Sequence, residues 1–332
     1  PRLHTWLVAC GEPSDHIAGG ASAESDADAI IAALAEGLER YLWFTETRHF
    51  IRPLRARADE LRKPHVAPER FAGYSEKQRT RAPLQIAPET TYLWTEGISL
   101  LNNRPVYVPA QTVSGMHANE TASEPLIRQR TTIGLATWPT QAGARLAGAL
   151  EVIERDAYNI MWLNQLTLPR IDIPSVVKES ASLRRLVERC ERYGITTHAV
   201  RMPTDAPTHA VCVLLEDTLG APRFAIGLKA HRSLPHAIER AMTEALRARI
   251  HSRAYAADGG VWDSDTPVES IGHRDRLHYW MVPEHAAHLE FLIRGTVEER
   301  LRAAWEQDSA EEHLSRIVEW CRTSRYECVA VP

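Results

Sequence analysis

Apolar residues recur along the chain with two spacings, which predict a mixture of helices and strands. The helical spacing predicts helices over residues 29–44, 142–165, 174–193 and 235–253. Runs of strand type lie at 6–9, 196–201, 210–216, 223–228 and 326–332, with a hairpin at 91–108 around Asn102-Asn103. Because helices and strands mix without a dividing linker, we expect one α/β domain over residues 1–332. We also expect this domain to be cut inside the fold at both ends.

Three short segments on the predicted helices resemble one another. They read Glu36-Gly-Leu-Glu39-Arg40, Glu151-Val-Ile-Glu154-Arg155 and Glu244-Ala-Leu-Arg247-Ala-Arg249. The first two place two carboxylates one helical turn apart on the same face. The starts lie 115 and 93 residues apart, too far for a solenoid repeat. We therefore expect distant helices that together form one acidic, cation-binding site.

The alternative interpretation of such a segment is a solvated helix face on which Glu pairs with Arg. Another predicted helix of the same chain shows what a solvated helix looks like in sequence. Residues 183–192 carry charges on most of the helix circumference, as a surface helix does. The helices of the first two segments are otherwise apolar nearly all round, which predicts buried helices packed on mixed sheets. Buried carboxylates are costly unless they are paired or bind a metal, so the pattern favours a shared site.

Composition narrows the classes of partner. The formal net charge of −4 excludes a nucleic-acid binder that relies on bulk positive charge. Apolar runs stay shorter than the roughly 18 residues that cross a bilayer, so no membrane span is expected. The five cysteines show no metal-ligand spacing, and their odd number indicates a reducing, cytoplasmic compartment.

Carboxylate clusters are typical of sites for hard cations such as Mg²⁺ or Ca²⁺. The arginines within and after the segments, Arg40, Arg155 and Arg249, match phosphate oxygens, and Glu244 belongs to the same candidate nucleotide site. The chain has no phosphate loop of the form G-x-x-x-x-G-K-[ST], and Gly19-Gly20-Ala is too weak a match. If ATP binds here, it binds through Mg²⁺ on glutamates and not on a glycine loop.

Three further features are interpreted more simply. Glu284-His285-Ala-Ala-His288 has two histidines and no third ligand nearby, which is typical of surface residues. The basic stretch 52–63 is interpreted as a solvated helix face that could contact a leader peptide. Tryptophans are expected in the core, although an adenine could stack on Trp138.

The order and spacing of several blocks resemble the YcaO family of ATP-dependent enzymes that modify peptide backbones. The blocks are Gly19-Gly20 before the segment at 33–41, Gly134-Leu-Ala before the segment at 148–157, the strand pair after Gly194, and the segment at 241–249. The resemblance covers nearly the whole chain.

This resemblance implies that Glu36, Glu39, Glu151 and Glu154 hold Mg²⁺ against ATP, with Arg155 and Arg249 on the phosphates. It also implies phosphorylation of a peptide amide oxygen, which turns a poor leaving group into a good one. A neighbouring Cys, Ser or Thr then closes an azoline, or sulfide gives a thioamide. The implied partners are a peptide or protein substrate, a leader-peptide-binding or TfuA-like protein, and a second copy of the chain.

The chain departs from the family pattern at three positions. It has Ala32 where Ser is usual, Ile133 where Asn is usual, and Arg247 where Gln is usual. Two alternatives therefore stay open. One is a non-catalytic relative that binds a peptide for a partner enzyme, and the other is a metal hydrolase of small phosphoesters.

Overall fold

The structure is a computed structural model that describes residues 3–10, 17–46, 54–71, 74–80, 86–87, 89–114, 124–129, 131–257, 279–299 and 303–332. Helices and strands are mixed throughout these residues, which confirms the α/β class. The longer helices are Asp26–Tyr41 (α1), Gln141–Leu163 (α2), Ala181–Arg192 (α3), Leu234–Ala257 (α4) and Ala310–Thr323 (α5).

The strands are His4–Cys10 (β1), Ile17–Ala23 (β2), Leu54–Arg57 (β3), Thr91–Ser99 (β4), Pro105–Pro109 (β5), Arg170–Ile171 (β6), Ile195–Arg201 (β7), His209–Asp217 (β8), Phe224–His231 (β9), Val297–Glu298 (β10) and Val329–Ala330 (β11). Short α-helices are Glu76–Arg79, Ile173–Val176 and Pro283–Ala286, and a π-helical turn covers Leu42–Glu46. Short 3-10 helices are Ala58–Glu60, Pro68–Arg70, Ala110–Thr112, Val177–Glu179, Ala287–Ile293 and Ala304–Gln307.

The chain divides into two compact units. The larger unit comprises Pro1–Trp6, Ala21–Ala32 and Leu146–His313, and the smaller unit comprises Leu7–Gly20, Ala33–Arg145 and Leu314–Pro332. The units alternate along the chain rather than following one another. The assignment of residues 1–332 to one domain therefore stays a prediction.

A five-stranded sheet forms the centre of the larger unit, in the order β10-β6-β7-β8-β9. The pairs β6–β7, β7–β8 and β8–β9 are antiparallel, whereas β10 runs parallel to β6. Strand β8 is apolar on both faces because its alternate residues enter two cores. One core includes α3 and α4, and the other includes the end of α2 and residues 286–292. The sheet therefore lies between two helical layers.

Strand β9 is the last strand of this sheet among the described residues, and α4 packs directly against it. Gly227 makes this approach possible. A Cβ at this position would lie 2.0 Å from the carbonyl oxygen of Ala241, so no other residue type fits without moving the helix. This contact holds α4 beside the edge of β9.

The smaller unit contains a sheet in the order β11-β4-β3, with β5 also paired to β4. The hairpin predicted around Asn102-Asn103 is confirmed, with Asn103 in the left-handed region at φ 56°. Trp94 is fully buried in this sheet, and its indole N–H donates to the carbonyl oxygen of Ala56 at 3.0 Å.

Two predicted elements are wrong. The described part of the basic stretch, residues 54–63, begins as strand β3 and continues as a 3-10 turn instead of a helix face. The helix predicted over 174–193 is interrupted at Ser180, whose hydroxyl accepts the N–H of Leu183 and begins α3. Residues 52–53 of the basic stretch lie outside the described residues.

The expectation of fully buried helices is wrong in part. On α1, Ile31, Leu34 and Leu38 are 66%, 52% and 47% exposed, and on α2 Val152 and Leu163 are 50% and 78% exposed. Each helix buries one face and leaves apolar side chains on another. Helix α4, whose burial the sequence left open, buries a continuous face that includes Ala237, Ile238, Ala241, Met242, Ala245 and Leu246.

The remaining expectations concern compartment and membrane. All five cysteines are free thiols. Across the part of the chain that the structure describes, no helix combines the length and the hydropathy that a membrane span requires.

Candidate functional site

Three predicted glutamates of the larger unit lie around one arginine. Glu151 and Glu154 are on α2, Glu244 is on α4, and Arg155 points its guanidinium among them. Arg155 Nη2 lies 3.6 Å from Glu154 Oε1, 4.0 Å from Glu151 Oε1 and 4.0 Å from Glu244 Oε1. We call Glu151, Glu154 and Glu244 the acidic cluster. The second and third segments of the sequence therefore meet in space.

The edge of β9 fixes two of these carboxylates. The N–H of Ala230 donates to Glu154 Oε2 at 2.9 Å, and the N–H of Leu228 donates to Glu244 Oε2 at 2.8 Å. Residues 228 and 230 of an edge strand present their N–H groups on the same side. In each carboxylate, Oε2 thus accepts an N–H of the strand and Oε1 faces Arg155.

A lysine that the sequence reasoning missed also belongs to this cluster. Lys229 stands between the two N–H donors on β9, and its Nζ lies 3.9 Å from Glu154 Oε2. Burial raises the pKa of Glu154 above its usual value, and the charges of Lys229 and Arg155 oppose that rise. The signal in the sequence is one charged residue inside the apolar run Phe224–Lys229.

The first segment lies in the smaller unit and has its own strand contact. The N–H of Gly20 on β2 donates to Glu36 Oε2 at 3.0 Å, while Arg40 Nη2 lies 3.3 Å from Glu36 Oε1. A Cβ on Gly19 would lie 2.1 Å from the backbone nitrogen of Gly37, so β2 and α1 approach closely only because Gly19 lacks a side chain. Glu39 is half-buried on the same helix.

The first and third segments repeat one strand–helix arrangement. In each, a glycine without room for a Cβ is followed by a residue whose N–H binds a helix glutamate 16 residues later. The pairs are Gly20 with Glu36 and Leu228 with Glu244. The likeness of the segments therefore extends to their local structure. Arg247 then takes the position that Glu39 has in the first segment.

Arg249 is bound away from the acidic cluster. It forms an ion pair with Asp217 at the end of β8, and both side chains are largely buried. Burial alone would raise the pKa of Asp217, but the hydrogen bond and charge of Arg249, together with the N–H that Leu219 donates, leave that pKa below its usual value. A phosphate-binding role for Arg249 stays a prediction.

The predicted glutamates differ in burial. Glu154 is 3% exposed, whereas Glu36, Glu39, Glu151 and Glu244 are half-buried. The expectation of two fully buried glutamate pairs is therefore wrong. Within the larger unit, the edge of β9 and the two cations hold Glu154 and Glu244 close to each other.

The donor set fits Mg²⁺ in chemical type, because carboxylate oxygens are the ligands that this cation prefers. The side chains have not gathered around one point, however. Within the described ranges, no three His, Cys, Asp or Glu side chains are spaced to hold one ion. In the larger unit the acidic side chains are balanced by Arg155 and Lys229 instead.

Two other sequence candidates have ordinary surroundings. Trp138 is 60% exposed rather than in the core, and its indole lies against Gly143, where a Cβ would be 2.0 Å from Cδ1. Its stacking role stays a prediction. The ring of His285 stacks on Tyr279 at 3.9 Å and contacts the carbonyl oxygen of Tyr279.

Comparisons with solved structures support the fold. The chain is similar to a heterocyclase in complex with substrate and cofactor, with a TM-score of 0.74 and 17% identity over 97% of this chain and 46% of that one. It is also similar to YcaO from Methanopyrus kandleri bound with AMPPCP and Mg²⁺, with a TM-score of 0.63 and 18% identity over 95% and 73% of the two chains. The E. coli microcin synthetase McbBCD complex gives a TM-score of 0.67 and 15% identity over 96% and 80%.

Sequence comparisons identify the family. A curated relative, an uncharacterized protein of Methanothermobacter thermautotrophicus, is 25% identical over 158 residues, which are 47% of this chain and 40% of the relative. The chain thus spans less than half the length of this relative and of the heterocyclase. The family profile described as "YcaO cyclodehydratase, ATP- and Mg²⁺-binding" matches residues 20–331. This chain belongs to the YcaO cyclodehydratase family, whose cofactors are ATP and Mg²⁺.

Proposed function

We propose that this chain is the ATP- and Mg²⁺-dependent part of an enzyme that activates a backbone amide of a peptide. The observation that carries the proposal is the grouping of Glu151, Glu154 and Glu244 around Arg155, within a region that matches an ATP- and Mg²⁺-binding family. Azoline closure and thioamide formation are both products of such activation.

The proposed roles are those that the resemblance to the YcaO family implies. Glu151, Glu154, Glu36 and Glu39 would hold Mg²⁺, and Arg155, Arg40 and Arg249 would contact phosphate oxygens. The N–H groups of β9 keep Glu154 and Glu244 oriented.

ATP would supply the phosphoryl group that makes the amide oxygen a good leaving group, with Mg²⁺ neutralising its charge. The chain's own residues contribute positioning and charge. Arg155 already contacts carboxylates from α2 and α4, which places a cation where phosphate charge would be balanced.

The first test is titration calorimetry with Mg·ATP. We compare the wild-type chain with Glu154→Gln and Glu36→Gln. Each substitution removes a charge but keeps an oxygen that accepts the strand N–H. We expect affinity to fall at least about tenfold, the loss that follows removal of even an outer-sphere partner of a metal site.

Glu188→Gln on the exposed face of α3 is the matched control and should bind Mg·ATP like the wild type. Equal affinity in all four proteins would contradict the assignment of Glu36 and Glu154. Glu36→Ala and Glu154→Ala extend the series, although they also remove the contacts with Gly20 and Ala230.

The proposed partners are a peptide or protein substrate and a leader-peptide-binding or TfuA-like protein. The similar McbBCD complex is described with pro-MccB17 bound, which supports a peptide substrate and partner proteins here. Homodimer formation is proposed only on the family resemblance.

A second candidate is a non-catalytic relative that binds a peptide for a partner enzyme. It is favoured by the two cations, Arg155 and Lys229, that already contact the carboxylates. The departures at Ala32, Ile133 and Arg247 point in the same direction. This candidate predicts peptide binding without ATP turnover.

A further inference from the structure

Lys229 lies beside the acidic cluster, although none of the sequence motifs includes it. It is neither part of an E-x-x-E-R segment nor near one in the sequence, yet its ammonium lies 3.9 Å from the most buried carboxylate of the acidic cluster. Its backbone belongs to β9, between the two N–H groups that hold Glu154 and Glu244. The strand whose N–H groups orient the carboxylates therefore also places a positively charged side chain beside them.

The charges of this group nearly cancel. Three carboxylates, Glu151, Glu154 and Glu244, face two cations, Arg155 and Lys229. A divalent ion that enters the cluster competes with these resident charges for the same oxygens, since like charges within a few ångströms repel strongly in a partly buried site. The resident cations thus determine how well a bare metal ion binds.

Lys229 is the more replaceable of the two cations. Its ammonium is paired with one carboxylate of the acidic cluster, Glu154, at 3.9 Å, and its side chain is 36% exposed, so it can move into solvent after losing a single ion pair. Arg155 instead contacts all three carboxylates and is proposed to bind phosphate. Mg²⁺ binds oxygens at about 2.0–2.1 Å, far closer than either contact.

We propose that Lys229 is a built-in counter-cation that competes with Mg²⁺ for Glu154, so that the acidic cluster binds bare Mg²⁺ weakly and is loaded by Mg²⁺ that arrives with a polyphosphate. Loading of the cluster by Mg²⁺ that arrives with a polyphosphate rests on the proposed function. Competition between Lys229 and Mg²⁺ concerns only the carboxylates and the lysine. A polyphosphate brings additional oxygens to the metal and an anionic partner for the displaced ammonium, which compensates for the lost ion pair.

The test is calorimetry with MgCl₂ alone, followed by calorimetry with Mg·ATP, on the full chain. Lys229→Met removes the charge and keeps most of the aliphatic stem. We expect it to bind bare Mg²⁺ about tenfold more tightly than the wild type, because the positive charge that lies 3.9 Å from Glu154 Oε2 is gone. Lys229→Arg restores the charge and should restore weak binding. Lys178→Met, at an exposed lysine, is the matched control and should behave like the wild type.

Circular dichroism and the midpoint of thermal unfolding check that each variant is folded. Lys229→Gln, which keeps a polar end, replaces Lys229→Met if the latter fails to fold. Bare Mg²⁺ affinity that is unchanged or weaker in the neutral variants overturns the proposal, as does undetectable Mg²⁺ binding in every variant at millimolar concentration.

The outcomes separate the two proposals. If the neutral variants gain Mg²⁺ affinity but no protein binds Mg·ATP, the competition by Lys229 stands and the proposed function fails. If Mg·ATP binds as proposed and the affinity for bare Mg²⁺ is the same in the wild type and the Lys229 variants, only this inference fails. A merely structural lysine would change the unfolding midpoint and leave the preference between MgCl₂ and Mg·ATP as it is.

Discussion

Glu154 makes contacts with both its oxygens, and this determines how it can be studied. Oε2 accepts the N–H of Ala230, and Oε1 faces Arg155. Alanine at this position would leave a buried N–H without its acceptor, at a cost of about 1–3 kcal/mol in stability. Glutamine keeps the acceptor and removes the charge. Only the glutamine variant therefore separates ligand binding from folding.

His231 provides a second prediction at the scale of the residue. Its Nδ1 accepts the N–H of Ser233 at 3.0 Å, and burial, followed by the charges near it, lowers the pKa of His231 from 6.5 to about 3. In the unfolded chain the ring takes up a proton below pH 6.5, whereas in the folded protein it stays neutral. Stability from this residue is therefore present above pH 6.5 and is lost as the pH falls from there towards 3.

We expect His231→Asn, whose side-chain oxygen can replace Nδ1 as the acceptor, to reduce this loss. The reduction should be at most about 1.4 kcal/mol for each pH unit below 6.5. Urea denaturation at pH 7, 6 and 5 measures it. His288→Asn, at an exposed ring, should keep the wild-type slope. Parallel pH profiles for the wild type and His231→Asn would contradict the prediction.

The residues that the sequence could identify differ from those it could not in one respect. Glu151, Glu154 and Arg155 share a helix, so their spacing predicts a common face. The pair of Arg249 with Asp217 and the contact of Lys229 with Glu154 join residues on different elements. Spacing along the chain carries no information about such contacts, because they depend on how the strand and helices pack.

At the scale of the element, Gly227 lets α4 pack closely on β9. We expect Gly227→Ala to destabilise the protein by about 3 kcal/mol, since overpacked sites force the backbone to shift. The added Cβ would lie 2.0 Å from a helix carbonyl oxygen, which has no freedom to rotate away. The free energy of unfolding in urea measures this effect.

Gly220→Ala is the matched control, because its Cβ would lie 3.3 Å from the carboxylate of Asp217, at the end of a side chain. It should change stability by less than about 1 kcal/mol. Equal effects of the two substitutions would show that the contact of β9 with α4 is looser than described.

Elements with a local signal were predicted well. The hairpin of β4 and β5 has its turn residues in the sequence, and the long helices have apolar periodicity. Strand β3 was missed because its four residues are Leu and Ala alternating with Arg, and its place beside β4 depends on long-range pairing. The exposure of one face of α1 was missed because the apolar residues of a helix do not show whether another element packs against each of its faces.

At the scale of the whole molecule, the two proposed functions differ in turnover. The amide-activating enzyme should release phosphate from ATP when a candidate peptide and leader-peptide-binding or TfuA-like partner are present. The non-catalytic relative should bind the peptide and release none. A coupled phosphate assay on the full chain, with and without each component, distinguishes them.

Glu154→Gln is the control for that assay, because contaminating ATPase activity would survive the substitution. Phosphate release without any peptide, and lost in Glu154→Gln, would favour the metal hydrolase of small phosphoesters instead. Release that is equal in both proteins would contradict an active site at the acidic cluster.

The N–H groups along β9 also affect how this sequence can change over evolution. Glu154 and Glu244 satisfy the backbone of a strand that would otherwise leave two donors unpaired. A descendant that lost catalysis would still need acceptors at both positions in order to fold. Glu154 and Glu244 are therefore weak markers of activity in related chains. Loss of Glu151, which is proposed to hold Mg²⁺ and whose Oε1 lies 4.0 Å from Arg155 Nη2, would be the earlier sign of decay.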